Sequence, residues 1–212
     1  MKHIRLIISS VAALAALTAT SGVASTAASA QTLSMRAVNW GDVTIPGRLC
    51  EVKGQITLHN GHAAVKHSGY GIPLDVYTTT VSHGYLEHGL PVTALQIWCA
   101  TTGGTAAGQI AEGIFIFASP ASPASPASSA APAGSASEPH LLGTLTPQYN
   151  PTSAAHIPYI AVSRIDTSGH IAVTEYFYSP ANPDCCPSGR AVTIWKWTGR
   201  TFIPGRTKIT AS

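Results

Sequence analysis

Imidazole is the chemical group this chain supplies most generously. Nine histidines occur, and His59, His62 and His67 fall close together, followed by His83 and His88. Neutral imidazole is a common zinc ligand. His59 and His62 also flank Asn60-Gly61, a dipeptide whose tight turn brings its neighbours together. The chemistry on offer there is metal-assisted hydrolysis, with His59, His62 and His67 as the metal-ligating candidates. Against it, no HExxH occurs and no acidic residue stands inside the cluster. Only 10% of the residues are charged, so the surface must draw its polar groups from histidine and the neutral polar types. No metal and no cofactor is therefore assigned.

Other reactive constellations are sparser. There is no Gly-x-Ser-x-Gly elbow and no Ser-x-x-Lys in the chain beyond residue 30, so no activated serine is indicated. Asp75, Glu87, Glu112, Asp166 and Glu175 stand apart from one another along the chain. Isolated acids of this kind are expected at the surface rather than as a catalytic pair. The segment Asp184-Cys185-Cys186-Pro187-Ser188-Gly189 is the most distinctive local text. A vicinal dithiol can exchange with other thiols or bind a soft metal. Thioredoxin-type enzymes, however, place two residues between their cysteines at a helix start, and these two are adjacent in a loop rich in Pro and Gly, which favours a structural role.

The four cysteines, Cys50, Cys99, Cys185 and Cys186, allow three pairings. Cys50 and Cys99 each lie beside a strand-like segment of the first half, which favours joining them and leaves Cys185 to pair with Cys186 or stay reduced. The rival ties Cys50 and Cys99 separately to the two neighbours. Adjacent cysteines in extended chain point to opposite faces, and a ring between them requires a distorted peptide, so the rival stays open.

The elements that must hold these residues read as strands. Gln55 to Leu58 and His62 to Val65 flank Asn60-Gly61 as a hairpin. Pro73 to Thr80, Pro91 to Ala100 and Gln109 to Ala118 follow, with Gly103-Gly104 as a turn between the last two. Further on come His140 to Leu145, Tyr159 to Ile165, His170 to Tyr178, Arg190 to Trp197 and Thr201 to Ile203. No stretch beyond residue 30 repeats apolar residues with a helical period. The expected fold is all-β, a mostly antiparallel sheet forming a sandwich or a curled meander. In Thr193-Ile194-Trp195-Lys196-Trp197 the alternation puts both tryptophans on one face. Tyr176, Phe177, Tyr178, Trp195 and Trp197 are then divided between a core and a groove for sugar or peptide.

Two further segments frame this domain. Lys2 and Arg5, the apolar stretch Leu6 to Leu17 and the small residues ending at Ala30 have the layout of a secretory signal over residues 1–30. The apolar stretch is shorter than the roughly 20 residues a membrane-crossing helix needs. No other apolar run approaches that length, so no transmembrane segment is expected. Residues 119–139 read SPASPASPASSAAPAGSASEP, a disordered linker or long loop between parts 31–118 and 140–212 of one β-rich domain. Loss of Lys2 and Arg5 lowers the basic count from 12 to 10 against 9 acids. With no basic run anywhere, nucleic acid is excluded as a partner.

Three stretches together resemble an actinobacterial exported group, the LppP/LprE-type lipoproteins. In the first half these are Leu49-Cys50 with the Gln55 to Val65 hairpin, then Val92 to Cys99, Thr101 to Gly104 and Ile110 to Phe117. In the second half they are Asp166 to Tyr178, Asp184-Cys185-Cys186-Pro187-Ser188 and Thr193 to Gly199. The resemblance implies a secreted or envelope-associated β-rich domain and carries over no catalytic residue. The chain departs from a lipoprotein in having no cysteine at the end of the signal, since Cys50 is its first. The expectation for function is a non-enzymatic binding or structural module, secreted or held at the cell envelope, with an envelope or extracellular partner. A metal-assisted hydrolase using the histidines, or a thiol-exchange protein using Cys185 and Cys186, are the alternatives.

Overall fold

The computed structural model describes residues 35–66, 68–102, 108–119, 139–149, 158–178 and 186–211. The signal segment and residues 120–138 of the Ser/Pro/Ala stretch lie outside these, as do His67, Cys185 and the Gly103-Gly104 turn. The described residues form an antiparallel all-β fold with two five-stranded sheets and a two-stranded ribbon, the sandwich expected from the pattern. The ribbon pairs β1 (Thr44–Pro46) with β2 (Gln55–Thr57), and a short 3-10 turn, Gly47–Cys50, leads from one toward the other.

The first sheet is a meander in chain order: β3 (His62–Val65), β4 (Leu74–Leu86), β5 (Leu90–Thr101), β6 (Gln109–Ala118) and β7 (His140–Leu145). The second runs β11 (Phe202–Pro204), β10 (Gly189–Trp197), β9 (His170–Phe177), β8 (Tyr159–Ile165). The last strand, β12 (Lys208–Ala211), shares one edge of β10 with β11. It pairs with Arg190 to Val192 while β11 pairs with Trp195 to Trp197.

The first sheet is covered on both faces, which explains the run Ile114-Phe115-Ile116-Phe117. Successive side chains of a strand point to opposite faces. Phe115 and Phe117 join Leu95, Ile97 and Cys99 in a core beneath Trp40, Ile45, Ile56 and Leu58 of the N-terminal layer. Ile114 and Ile116 join Val92, Ala94 and Leu145 against Ile160, Ile171, Val173, Trp195 and Trp197 of the second sheet. Three layers result, with the first sheet in the middle. Side chains from both halves of the chain build the second core. Its close approach depends on small residues: a Cβ on Gly84 of β4 would lie 2.6 Å from the Ile165 Cβ of β8.

The hairpin expected across Asn60-Gly61 is corrected. The turn forms, with Asn60 at φ 52° and Gly61 at φ 79°, and His59 bridges His62. The two strands then part, β2 going to β1 and β3 to β4. Ile56 and Leu58 are buried in the first core, and the longer β4 offers β3 four paired residues where the chain beyond β2 offers only the single His59–His62 bridge. β1 and β12 were outside the expected strands, and β4 runs beyond Thr80 to Leu86.

Candidate functional site

Among the described residues His59 and His62 do not come together as metal ligands, and His67 lies outside those residues. His59 is exposed, and His62 turns away from it toward β4. There its Nε2 lies 3.0 Å from Asp75 Oδ1 and its ring stacks on Tyr77 with centroids 4.8 Å apart. Tyr77 in turn meets Trp98 at 6.1 Å. His62, Tyr77, Trp98 and Glu112 are direct partners across β3, β4, β5 and β6, so they share one face as a row. Centroids one strand spacing apart place the His62 and Tyr77 rings face to face, standing up from the sheet. Their faces are taken up by each other, and the row ties three strands together rather than offering a flat platform. Partial desolvation, and then the Asp75 carboxylate, raise the Tyr77 phenol above its ordinary pKa. Among the described residues no group of three or more His, Cys, Asp or Glu is placed to hold a metal ion.

The expectation that the acids lie at the surface fails for three of them. Asp75 is buried beside His62, and Glu112 and Glu175 are 3% and 0% exposed. Glu112 sits on the inner face of the first sheet. Its Oε1 accepts a hydrogen bond from Gln96 Nε2 at 2.6 Å. Its Oε2 accepts from Gln109 Nε2 at 3.1 Å and from the Ile160 N–H of the second sheet at 3.3 Å. Glu175 sits on the inner face of the second sheet, where it is the register partner of Ile160. It accepts from the backbone N–H groups of Gln148 and Tyr149, at 2.8 and 2.7 Å, and from the Thr193 hydroxyl. Each carboxylate thus has donors from several elements, which is what makes a buried charge tolerable. Burial still dominates at Glu112, whose pKa is pushed up to about 7 against the three donors that oppose the shift. Both carboxylates act as struts: Glu112 fastens one sheet to the other, and Glu175 fastens the segment after β7 to β10.

These acids were missed because an isolated Glu in a strand buried on one face normally points to water. In a strand buried on both faces no such side exists. The signal present in the sequence was the unbroken apolar run that follows Glu112.

The cysteines divide as the strand positions favoured. Cys50, at the end of the 3-10 turn, is joined to Cys99 of β5, so the rival pairing does not occur. Cys186 is disulfide-bonded as well, so it presents no free thiol for exchange. Trp195 and Trp197 share a buried face, and Phe177 and Tyr178 are buried too, while Tyr176 and Ile194 are exposed. The tryptophans therefore belong to the core and not to a groove. Trp98 and Trp195 bury their indole N–H groups with no partner among the described residues.

A cleft of about 270 Å3 opens between the N-terminal layer and the first sheet. Its walls include Val38, Asn39, Trp40, Asp42, Thr44 and Phe117. Trp40 and Phe117 pack with centroids 5.3 Å apart, and the Trp40 indole N–H donates to the Met35 carbonyl, which fixes the ring. Asp42 is held by Asn39 Nδ2 on one oxygen and by the Asn60 N–H on the other. A rigid apolar floor with a carboxylate and an amide at its margin suits a compact ligand that is apolar on one side and a hydrogen-bond donor on the other.

No family model, no curated protein and no solved structure matches this chain.

Proposed function

We propose that this chain is an exported, non-enzymatic binding module of the cell exterior or envelope, and that its ligand seats in the Trp40–Phe117 cleft. The observation that carries the reading is the cleft itself, with its ring-paired floor and its anchored Asp42. The layer that forms one wall is fastened to the middle sheet by Cys50–Cys99, a bond suited to an oxidising compartment. No helix among the described residues is long and apolar enough to cross a membrane. The signal-like segment 1–30 and the resemblance to LppP/LprE-type proteins support the same location.

The test is retention of the purified domain, residues 31–212, on an isolated actinobacterial cell-envelope fraction. Val38→Trp fills the cleft from a half-buried position. Wild type retained at least tenfold above the variant, with matching thermal midpoints, is the expected result. Equal retention of the two, or none for wild type, refutes the cleft as the site. Turnover of a peptide, ester or glycan by the same preparation overturns the non-enzymatic assignment.

A further inference from the structure

Charge is spread unevenly along this chain. Residues 31–118 carry five acids, Asp42, Glu51, Asp75, Glu87 and Glu112, against four bases. Residues 186–212 carry Arg190, Lys196, Arg200, Arg206 and Lys208 and no acid at all. These cations stand two to six positions apart, so they form no run in the sequence. The fold gathers them, because β11 and β12 both lie along β10. Thr193 and Trp195 are buried on the inner face of β10, so Arg190, Val192, Ile194 and Lys196 stand on its outer face. Directly paired residues share a face, which brings in Lys208 as the partner of Val192, Ile203 as the partner of Lys196 and Tyr176 as the partner of Arg190. Arg200 and Arg206 stand in the connections before and after β11. All five cations are exposed. The ion pairs among the described residues involve other groups, His62 with Asp75, and Arg164 and His170 with Asp166.

Aliphatic side chains stand among these cations. Ile194 is 37% exposed, Ile203 53% and Tyr176 38%, and Val192 is half-buried beside them. Along β10 the outward order Arg190, Val192, Ile194, Lys196 sets two aliphatic groups between two cations about 20 Å apart. The boundary of an anionic bilayer accepts both kinds of group at once, phosphates taking the cations and the acyl margin taking the aliphatic chains. We propose that the face formed by β10, β11 and β12 docks on a membrane surface rich in anionic lipid headgroups. Arg190, Lys196 and Lys208 meet the headgroups, and Ile194 and Ile203 enter the acyl margin. A soluble polyanion would satisfy the cations and leave both isoleucines in water, and a second copy of the face would set cation against cation. The face belongs to the outer side of the second sheet, whereas the Trp40–Phe117 cleft opens on the far side of the first sheet, so the two surfaces are separate.

Co-sedimentation of the purified domain, residues 31–212, with lipid vesicles tests this at about 0.1 M salt, where charges still act over about 10 Å. Wild type is expected to pellet with vesicles of equimolar phosphatidylcholine and phosphatidylglycerol and to stay in solution with phosphatidylcholine alone. Each cation near such a surface strengthens binding about fivefold, so Lys196→Gln combined with Lys208→Gln should weaken it about 25-fold. Ile194→Thr combined with Ile203→Thr should weaken it at least about fivefold through lost apolar contact. Lys53→Gln combined with Lys66→Gln removes the same charge from exposed positions outside this face and should bind as wild type does. Thermal midpoints matching wild type show that each variant is folded. Wild type that fails to pellet with the mixed vesicles overturns the proposal, as does equal pelleting with phosphatidylcholine alone. An equal loss in the Lys53 and Lys66 variant would reduce the effect to net charge, and undiminished binding without the two isoleucines would make the face a site for soluble polyanions. Either result overturns the membrane assignment. The vesicles contain lipid alone, so their binding and retention through the cleft fail independently.

Discussion

Glu112 shows what a single residue contributes to the energetics of this fold. Its carboxyl is driven from 4.5 to about 7 mainly by burial, so the native state holds its proton more tightly than the unfolded chain does. The sign follows from linkage. Where the folded state binds more protons, stability falls as pH rises, so Glu112's contribution is complete below about pH 4.5 and is lost as pH climbs through about 7. A shift of this size corresponds to about 3 kcal/mol. Urea denaturation should therefore give a lower unfolding free energy at pH 8 than at pH 5, and Glu112→Gln should remove most of that slope. The amide keeps the shape, and the Gln96 and Gln109 side chains can turn to exchange donor for acceptor. An unchanged slope in the variant would show that other groups govern the pH response.

Between elements, contact is governed by where side chains are missing as much as by where they are present. β8 crosses β4 at Gly84, and an added methyl group there would press into Ile165. Gly84→Ala is expected to destabilise the domain by about 1–3 kcal/mol, the usual cost of overpacking, although the backbone of a strand otherwise favours alanine. A denaturant midpoint unchanged or raised in the variant would mean that the sheets have slack at this crossing. The same logic accounts for β6, whose residues fill two cores at once and have no solvent face on which a charge can rest. Glu112 is accommodated there because Gln96, Gln109 and the Ile160 N–H converge on it from three strands.

Across the whole molecule, the three layers are held by different means. The middle and second sheets meet through a broad apolar core with Glu112 as a carboxylate strut between them, while Glu175 holds the segment after β7 to the second sheet. The N-terminal layer is smaller, and the Cys50–Cys99 bond fastens it across 49 positions of sequence. Loop-closure entropy for a ring of that length gives a stabilisation of about 4 kcal/mol as an upper figure. Replacing both cysteines by alanine should lower the unfolding free energy by about 2–4 kcal/mol, read by denaturation of the two proteins under identical conditions. It should also lower envelope retention, because one wall of the cleft belongs to the layer that is loosened. A double variant as stable as wild type would place the stability of that layer in Trp40, Ile45, Ile56 and Leu58 alone.

Much of the architecture was legible along the chain, because strand periodicity and turn chemistry are local. Gln109–Ala118, His140–Leu145 and Tyr159–Ile165 begin and end where apolar alternation and flanking turn residues place them. The shared face of Trp195 and Trp197 follows from the period of a strand, and Asn60-Gly61 makes the turn its backbone preferences dictate. Which strands become neighbours is not local. β2 and β3 leave the same turn for different partners, and β4 outruns β3, because pairing depends on cores assembled from distant segments. The buried acids and the cleft belong to that second kind of information. A carboxylate's surroundings are set by Gln96, Gln109 and Ile160 arriving from three strands, and the Trp40–Phe117 floor joins residues 77 positions apart. By itself the sequence determined most of the strands and which of their faces are apolar. Only the tertiary structure decided which charges are enclosed and where a cleft opens, since each is a property of the space between segments that the chain brings together from afar.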